Sequence, residues 1–304
     1  MKQLIPFLSF CLLFSISVMA QTDRLGDYDW EQPDKQFEMD ERLVEISGLS
    51  MAEGGTYLAA IQDEEGELFL LDPNSGRIVQ QIPFWKEGDY EGVEQVGAIT
   101  YVVKSSGTIY EIEAAGTTEQ SVTKYNGFLN SDNDIEGLGY WPQRHQLLLA
   151  CKAQPGENLD ENRKKAIYAF DLTSKTFIQE PLLVSQRDSV ENYLRTCPQG
   201  PNYAKICDIF AMDKERFDFN PAALAVHPIT GDFYVTSSKG NLLVVLSSIG
   251  GIRQIIKLPK RLHRQPEGLC FDSSGNLYIA NEAKKDNPAA IYFYSYRADH
   301  AAGR

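Results

Sequence analysis

The sequence predicts an all-β fold, a five-bladed β-propeller with six blades as the alternative count, and three observations carry that prediction. A Glu-Gly-aliphatic triplet recurs at Glu91-Gly92-Val93, Glu136-Gly137-Leu138 and Glu267-Gly268-Leu269, with weaker copies at Ser47-Gly48-Leu49 and Ala222-Ala223-Leu224. Successive copies begin 44, 45, 86 and 45 residues apart, so one interval carries an insertion. Each interval holds short apolar or alternating runs separated by turn residues, and a period near 45 with that content is the pattern of propeller blades.

The chain opens on Lys2, an apolar run from Leu4 to Val18 and a small residue at Ala20. Residues 1–20 therefore read as a secretory signal, too short and wrongly flanked for a membrane span, and export to the periplasm or the outside is expected. Residues 21–34 show no period and many polar groups, and they read as a flexible leader ahead of one propeller domain over 35–304.

Within the domain the first repeat gives EISGLSMA, TYLAAIQDE, ELFLLDPNSG and RIVQQIPF, four strand-like runs, and the next ones repeat that order. Turns such as Asp72 to Gly76, His227 to Gly231 and Asp272 to Asn276 supply the residues that tolerate φ > 0 and cap their own backbone. Residues 185–219 break the pattern with SVENYLRT, a predicted short helix, and a Pro-Gly turn, so they are an insertion between blades 3 and 4. The last repeat is one strand short, and KQFEMDERL, before the first repeat, is the spare strand that would close the ring and remove its open edges.

The formal net charge is −13 with no basic stripe, which excludes nucleic acid as a partner because no counterion-release term is available. Of the five cysteines, Cys11 lies in the signal run, Cys151 and Cys270 sit in apolar strands as core thiols, and Cys197 and Cys207 are candidates for a loop disulfide. The spacing matches no zinc pattern, and the four histidines are scattered. A monomer without a membrane span in the mature chain is expected.

Two residues before each triplet stands a second polar column, Glu45, Asp89, Asp134, Asn220 and Gln265. Residues two apart on a strand share a face, so both columns point one way, toward the axis where the inner strands begin. The second strand of each blade returns to that end. It adds Asp63, Glu64, Lys104, Lys152, Ser237, Asn281 and Glu282 as candidate ligand-binding residues, with Lys104 and Lys152 taken as in register in adjacent blades. Carboxylates crowded on an axis repel one another until a cation neutralises them. The oxygen-rich set Glu45, Asp89, Glu91, Asp134, Glu136 and Glu267 suits calcium, which accepts six to eight oxygen ligands in irregular geometry. The bland alternative is that the glycines only relieve crowding and each Glu bonds the neighbouring blade.

The ordered motifs EISGLS, DYEGVE, DIEGLGY and QPEGLCFD, with NPAALAVHP in the fourth place and DSSGNLYIANE near the end, resemble the SdiA-regulated propeller family of exported bacterial proteins. The resemblance implies a five-bladed propeller with a calcium site. More distantly the chain is similar to the phytase, paraoxonase and gluconolactonase propellers, where a funnel metal serves hydrolysis. Ser47 and Ala222 depart from the acidic pattern and bias any metal toward the blades of Glu91, Glu136 and Glu267. Two functions follow as expectations. The first is calcium-dependent binding of a small anionic ligand or a protein partner at the acidic funnel without catalysis. The alternative is a calcium-dependent hydrolase of phosphoesters or lactones, with Glu136 or Glu282 as base and Lys104 and Lys152 holding the anion. No Gly-x-Ser-x-Gly elbow or HExxH helix is present.

Overall fold

The computed structural model describes residues 27–196, 202–211, 217–285 and 287–297. Within them five antiparallel four-stranded sheets are arranged as five blades. Blade 1 comprises β2 (Ile46–Met51), β3 (Leu58–Gln62), β4 (Glu67–Leu71) and β5 (Ile78–Pro83); blade 2, β6 (Tyr90–Val96), β7 (Ile99–Lys104), β8 (Ile109–Glu113) and β9 (Ser121–Tyr125). Blade 3 comprises β10 (Ile135–Trp141), β11 (Gln146–Cys151), β12 (Lys164–Asp171) and β13 (Thr176–Gln186); blade 4, β14 (Pro221–Val226), β15 (Phe233–Ser237), β16 (Leu242–Leu246) and β17 (Ile252–Lys257). Blade 5 comprises β18 (Pro266–Phe271), β19 (Leu277–Asn281) and β20 (Ala290–Tyr294), and β1 (Lys35–Glu38) adds its outer strand by pairing Phe37 with Ile291. The predicted count of five and the predicted closure by the first strand both hold.

The triplets decode into packing. An added Cβ on Gly48 would meet the Val93 amide at 2.8 Å, one on Gly92 the Leu138 Cβ at 2.6 Å, and one on Gly268 the Leu49 Cβ at 3.0 Å. Each inner-strand glycine thus makes room for the aliphatic residue of the next blade, which is why glycine and leucine recur as a pair. Blade 4 uses Ala223 in the glycine place and remains buried. Tyr101, Tyr234 and Tyr278 are buried, and Cys151 and Cys270 are buried as expected. The turns behave as read: Asp72 Oδ1 accepts from the amides of Asn74 and Ser75, and the imidazole of His227 accepts from those of Ile229 and Thr230.

The insertion contains α1 (Arg187–Thr196) and α2 (Tyr203–Ile209). Val190, Leu194, Ile206, Phe210, Phe217 and Phe219 bury against Leu242, Val244 and Ile255 of blade 4, so the insertion is an annex of the core between blades 3 and 4. Cys197 lies outside the described residues, and its predicted pairing with Cys207 lies there with it.

One expectation is corrected. Residues 27–34 of the supposed flexible leader are packed onto blades 4 and 5: Tyr28 is 2% exposed, donates to the Gly275 carbonyl at 2.7 Å and meets His227 Nε2 at 3.0 Å. Trp30 packs at a tilt against Tyr294, ring centroids 5.8 Å apart, and the Arg297 amide donates to the Asp27 carbonyl. The burial of Tyr28 and the partial burial of Trp30 oppose the entropic cost of ordering this segment. The remainder of the leader, 21–26, and the signal segment 1–20 lie outside the described residues.

Candidate functional site

The inner strands begin at one mouth of the central channel, and each begins with the same irregularity. Register shifts fall between Ile46 and Gly48, Tyr90 and Gly92, Ile135 and Gly137, Pro221 and Ala223, and Pro266 and Gly268. The residue skipped in every blade, Ser47, Glu91, Glu136, Ala222 or Glu267, is the first of the triplet. A β-bulge leaves its extra residue outside the ladder and re-aims its side chain. Ser47, Glu91, Glu136 and Glu267 all line the constriction of the channel.

Two further rings stack above the bulge residues. Continuing the ladder by one position pairs Glu45 with Asp63, Asp89 with Ser105, Asp134 with Lys152, Asn220 with Ser238 and Gln265 with Glu282. Backbone bonds mark the pairing: Ser105 N to Asp89 O, Lys152 N to Asp134 O, and Glu282 N to Gln265 O. Ser105 and Ser238 were not singled out from sequence. Ser105 donates its hydroxyl to Asp89 Oδ2.

This register separates the two lysines. Lys104 is paired with Tyr90 and corresponds to Cys151, whereas Lys152 corresponds to Ser105. A one-residue offset on a strand turns a side chain to the other face. Lys104 accordingly places its ammonium over the Tyr90 ring, 5.5 Å from the centroid, while Lys152 enters the channel mouth, bridging Glu136 and standing 3.8 Å from Asp134. The expected pair of in-register lysines is therefore not assembled.

The carboxyls crowd around the Lys152 ammonium, and a second ammonium, Lys284, donates to Gln265 Oε1 at 2.8 Å at the rim. Glu91 is pushed up to about 9 by burial first, then by the charges of Glu136 and Asp89 and a hydrogen bond shared with Asp89. Glu267 is pushed up to about 8 by burial and then by Glu136. Glu136, only 6% exposed, rises to about 7 because burial outweighs the Lys152 charge and hydrogen bond that pull it down. At the rim, burial and the charge of Glu45 raise Asp63 to about 6, and burial with the Asp63 charge raises Glu282. Burial opposes the Lys152 charge, yet its acidic neighbours Glu136, Asp134 and Glu267 raise it above the ordinary lysine value.

The blade-to-blade bond expected as the bland alternative exists, but in blade 1: Ser47 Oγ donates to the Tyr90 carbonyl at 2.7 Å. Among the described residues no backbone amide donates to the carboxylates of Glu91, Glu136 or Glu267. Asp63 Oδ1 is buried without a hydrogen-bond partner. Glu64 is exposed at the rim. Asn220 is held by its own amide donating to Ser237 Oγ at 2.9 Å, and Asn281 turns its amide nitrogen to His263 Nδ1 at 3.2 Å, leaving its buried Oδ1 unpaired. Below the bulge ring the channel narrows to about 10 Å³, the space of a single water.

Fold and site together define a five-bladed propeller with an acidic channel mouth. A family model described as SdiA-regulated matches residues 24–294, and the chain belongs to the SdiA-regulated family. No curated protein matches it. Among solved structures it is similar to the Myxococcus xanthus glutaminyl cyclase, with 13% identity over 86% of this chain and 94% of that one at a TM-score of 0.54. It is also similar to a luciferin-regenerating enzyme, with 11% identity over 88% and 96% of the two chains at a TM-score of 0.50. At these identities the likeness is one of fold. Among the described residues no helix is long and apolar enough to cross a membrane.

Proposed function

We propose that this chain is an exported calcium-binding propeller that takes up a ligand or partner at the acidic channel mouth, without catalysis of its own. The observation that carries the reading is the charge balance of the mouth. Glu91, Glu136 and Glu267 converge on one constriction with Lys152 as the ammonium among them, and Glu91 and Glu267 hold raised carboxyls that no backbone amide stabilises. A buried carboxylate in that position is either protonated or neutralised by a cation. The all-oxygen donor set fits a hard cation. Among the described residues no three acidic, histidine or cysteine side chains stand at ligating separation, so calcium binding would require these carboxylates to move together. Glu91, Glu267, Asp89 and Asp63 would hold it, and Glu136 stays with Lys152. The bound ion would supply positive charge to an anionic group arriving at the rim.

The hydrolase alternative requires a free cationic clamp for an anionic substrate. Of the two lysines that reading names, Lys152 is engaged by Glu136 and Asp134 and Lys104 stands on another face, so that pair is not available to hold the anion. Export rests on the apolar run from Leu4 to Val18 ahead of Ala20.

The test is a thermal melt of chelator-treated protein with and without added calcium, because an ion that binds only the folded state raises stability by mass action. An upward shift that shrinks in Glu91→Gln and Glu267→Gln supports the reading. An unchanged melting temperature in the parent protein overturns it.

A further inference from the structure

The inner strands end at the opposite mouth, and there the channel opens into a second cavity of about 410 Å³, within the range of small-molecule pockets. Its wall is mostly apolar, with Met51, Ala225, Val226, Cys270 and Phe271 at the strand ends. The glycine and leucine belt that constricts the axis separates it from the acidic mouth, leaving room for about one water between the two. Among the described residues neither a lysine nor an arginine lines this cavity, and two carboxylates do, Glu94 and Asp272. Asp272 is occupied in its own turn, accepting from the amides of Ser274 and Asn276 and from the Asn276 side chain. His227 is likewise engaged, with one ring nitrogen on its own turn and the other against Tyr28.

Glu94 differs from both. It lies mid-strand on β6, three residues beyond the bulge, in a column whose other members are Ser50, Gly139, Ala225 and Cys270. Ser50 Oγ of blade 1 donates to its Oε1 at 2.8 Å and accepts from the Gln95 amide at 3.0 Å, and the amide of Tyr140 in blade 3 faces the carboxylate. The Ser50 hydroxyl and the Tyr140 amide account for two of the roughly four acceptor positions of a carboxylate, which leaves Glu94, in the cavity wall, with acceptor capacity to spare. A negative group with spare acceptor capacity, in the wall of an apolar chamber without a cation of its own, is complementary to an ammonium carried on an apolar body.

We propose that this second cavity binds a small organic amine, with the ammonium on Glu94 and the apolar portion against the strand ends. The proposal is independent of the calcium reading, because it concerns the other mouth.

Isothermal titration with 2-phenylethylamine, 2-phenylethanol and 3-phenylpropionate as probes tests it, in calcium and in chelator alike. The amine is expected to bind at least about tenfold more tightly than the alcohol, the carboxylate not to bind, and the amine affinity to be the same in both buffers. Glu94→Gln should abolish the preference for the amine over the alcohol. Gln143→Lys, an exposed change at the cavity wall that leaves the Glu94 bonds intact, should weaken the amine several-fold and decides the matter if the Glu94 variant does not fold. Equal binding of amine and alcohol, no binding of either, or an amine affinity that neither substitution alters overturns the proposal.

Discussion

Glu91 and Glu94 stand three residues apart on the same strand, yet they are held in opposite ways. Glu94 receives the Ser50 hydroxyl and faces the Tyr140 amide, contacts that join blades 1, 2 and 3, and burial alone lifts it to about 7 against those bonds. Glu91 has no amide donor, lies against Glu136 and Asp89, and is pushed to about 9. The first is a carboxylate the fold uses to tie blades together. The second is a carboxyl that burial and its acidic neighbours hold in the protonated form, and losing that proton costs the fold stability. The bulge makes the difference: a residue in the ladder register meets its neighbours' donors, and a residue bulged out of it meets the axis.

The largest effect that would sharpen this contrast lies between the two residues. Gly92→Val places a Cβ 2.6 Å from the Leu138 Cβ, so it should destabilise the protein by about 3 kcal/mol or leave it insoluble, read by urea denaturation. If it is tolerated, the glycine column does not reflect blade packing. Next, Tyr28→Ala should cost about 3 kcal/mol by emptying the aromatic cluster that braces blades 4 and 5 at the Glu94 end; a change near zero would mean that residues 27–34 are dispensable. Glu94→Ala should cost about 2 kcal/mol by stranding the Ser50 hydroxyl and the Tyr140 amide, while Glu91→Gln should stabilise the calcium-free protein. Two changes of the same sign would break the comparison.

The smallest effect is a slope. Glu91 and Glu267 carry folded pKa values of about 9 and 8, above the ordinary glutamate value, so the folded state binds more protons than the unfolded one in between. Stability of the calcium-free protein should therefore fall as pH rises from about 5 toward 9, and calcium should flatten that fall. Melting curves across this window check the sign.

Much of this was readable in the chain. The period, the four strand-like runs and the spare first strand follow from hydrophobic alternation and turn chemistry, and they gave the blade count and the closure. The acidic column was readable too. The bulge was not, because alternation assumes an unbroken ladder, and for the same reason Lys104 was set beside Lys152 when Ser105 is its true counterpart. Tyr28 and Trp30 were hidden by the polar residues around them, since two side chains make no period. Glu94 left a signal that repeat alignment holds: it is the one charged residue in a column otherwise filled by Ser50, Gly139, Ala225 and Cys270.

The most direct measurement is calcium titration by calorimetry at pH 7 in buffers of different ionisation enthalpy, which counts the protons released on binding. Carboxyls at about 9 and 8 are protonated before the ion arrives and must be ionised to hold it, so about two protons per calcium are predicted, falling to about one in Glu91→Gln. Calcium that binds without releasing protons, or does not bind at all, would contradict the assignment of Glu91 and Glu267 as its ligands.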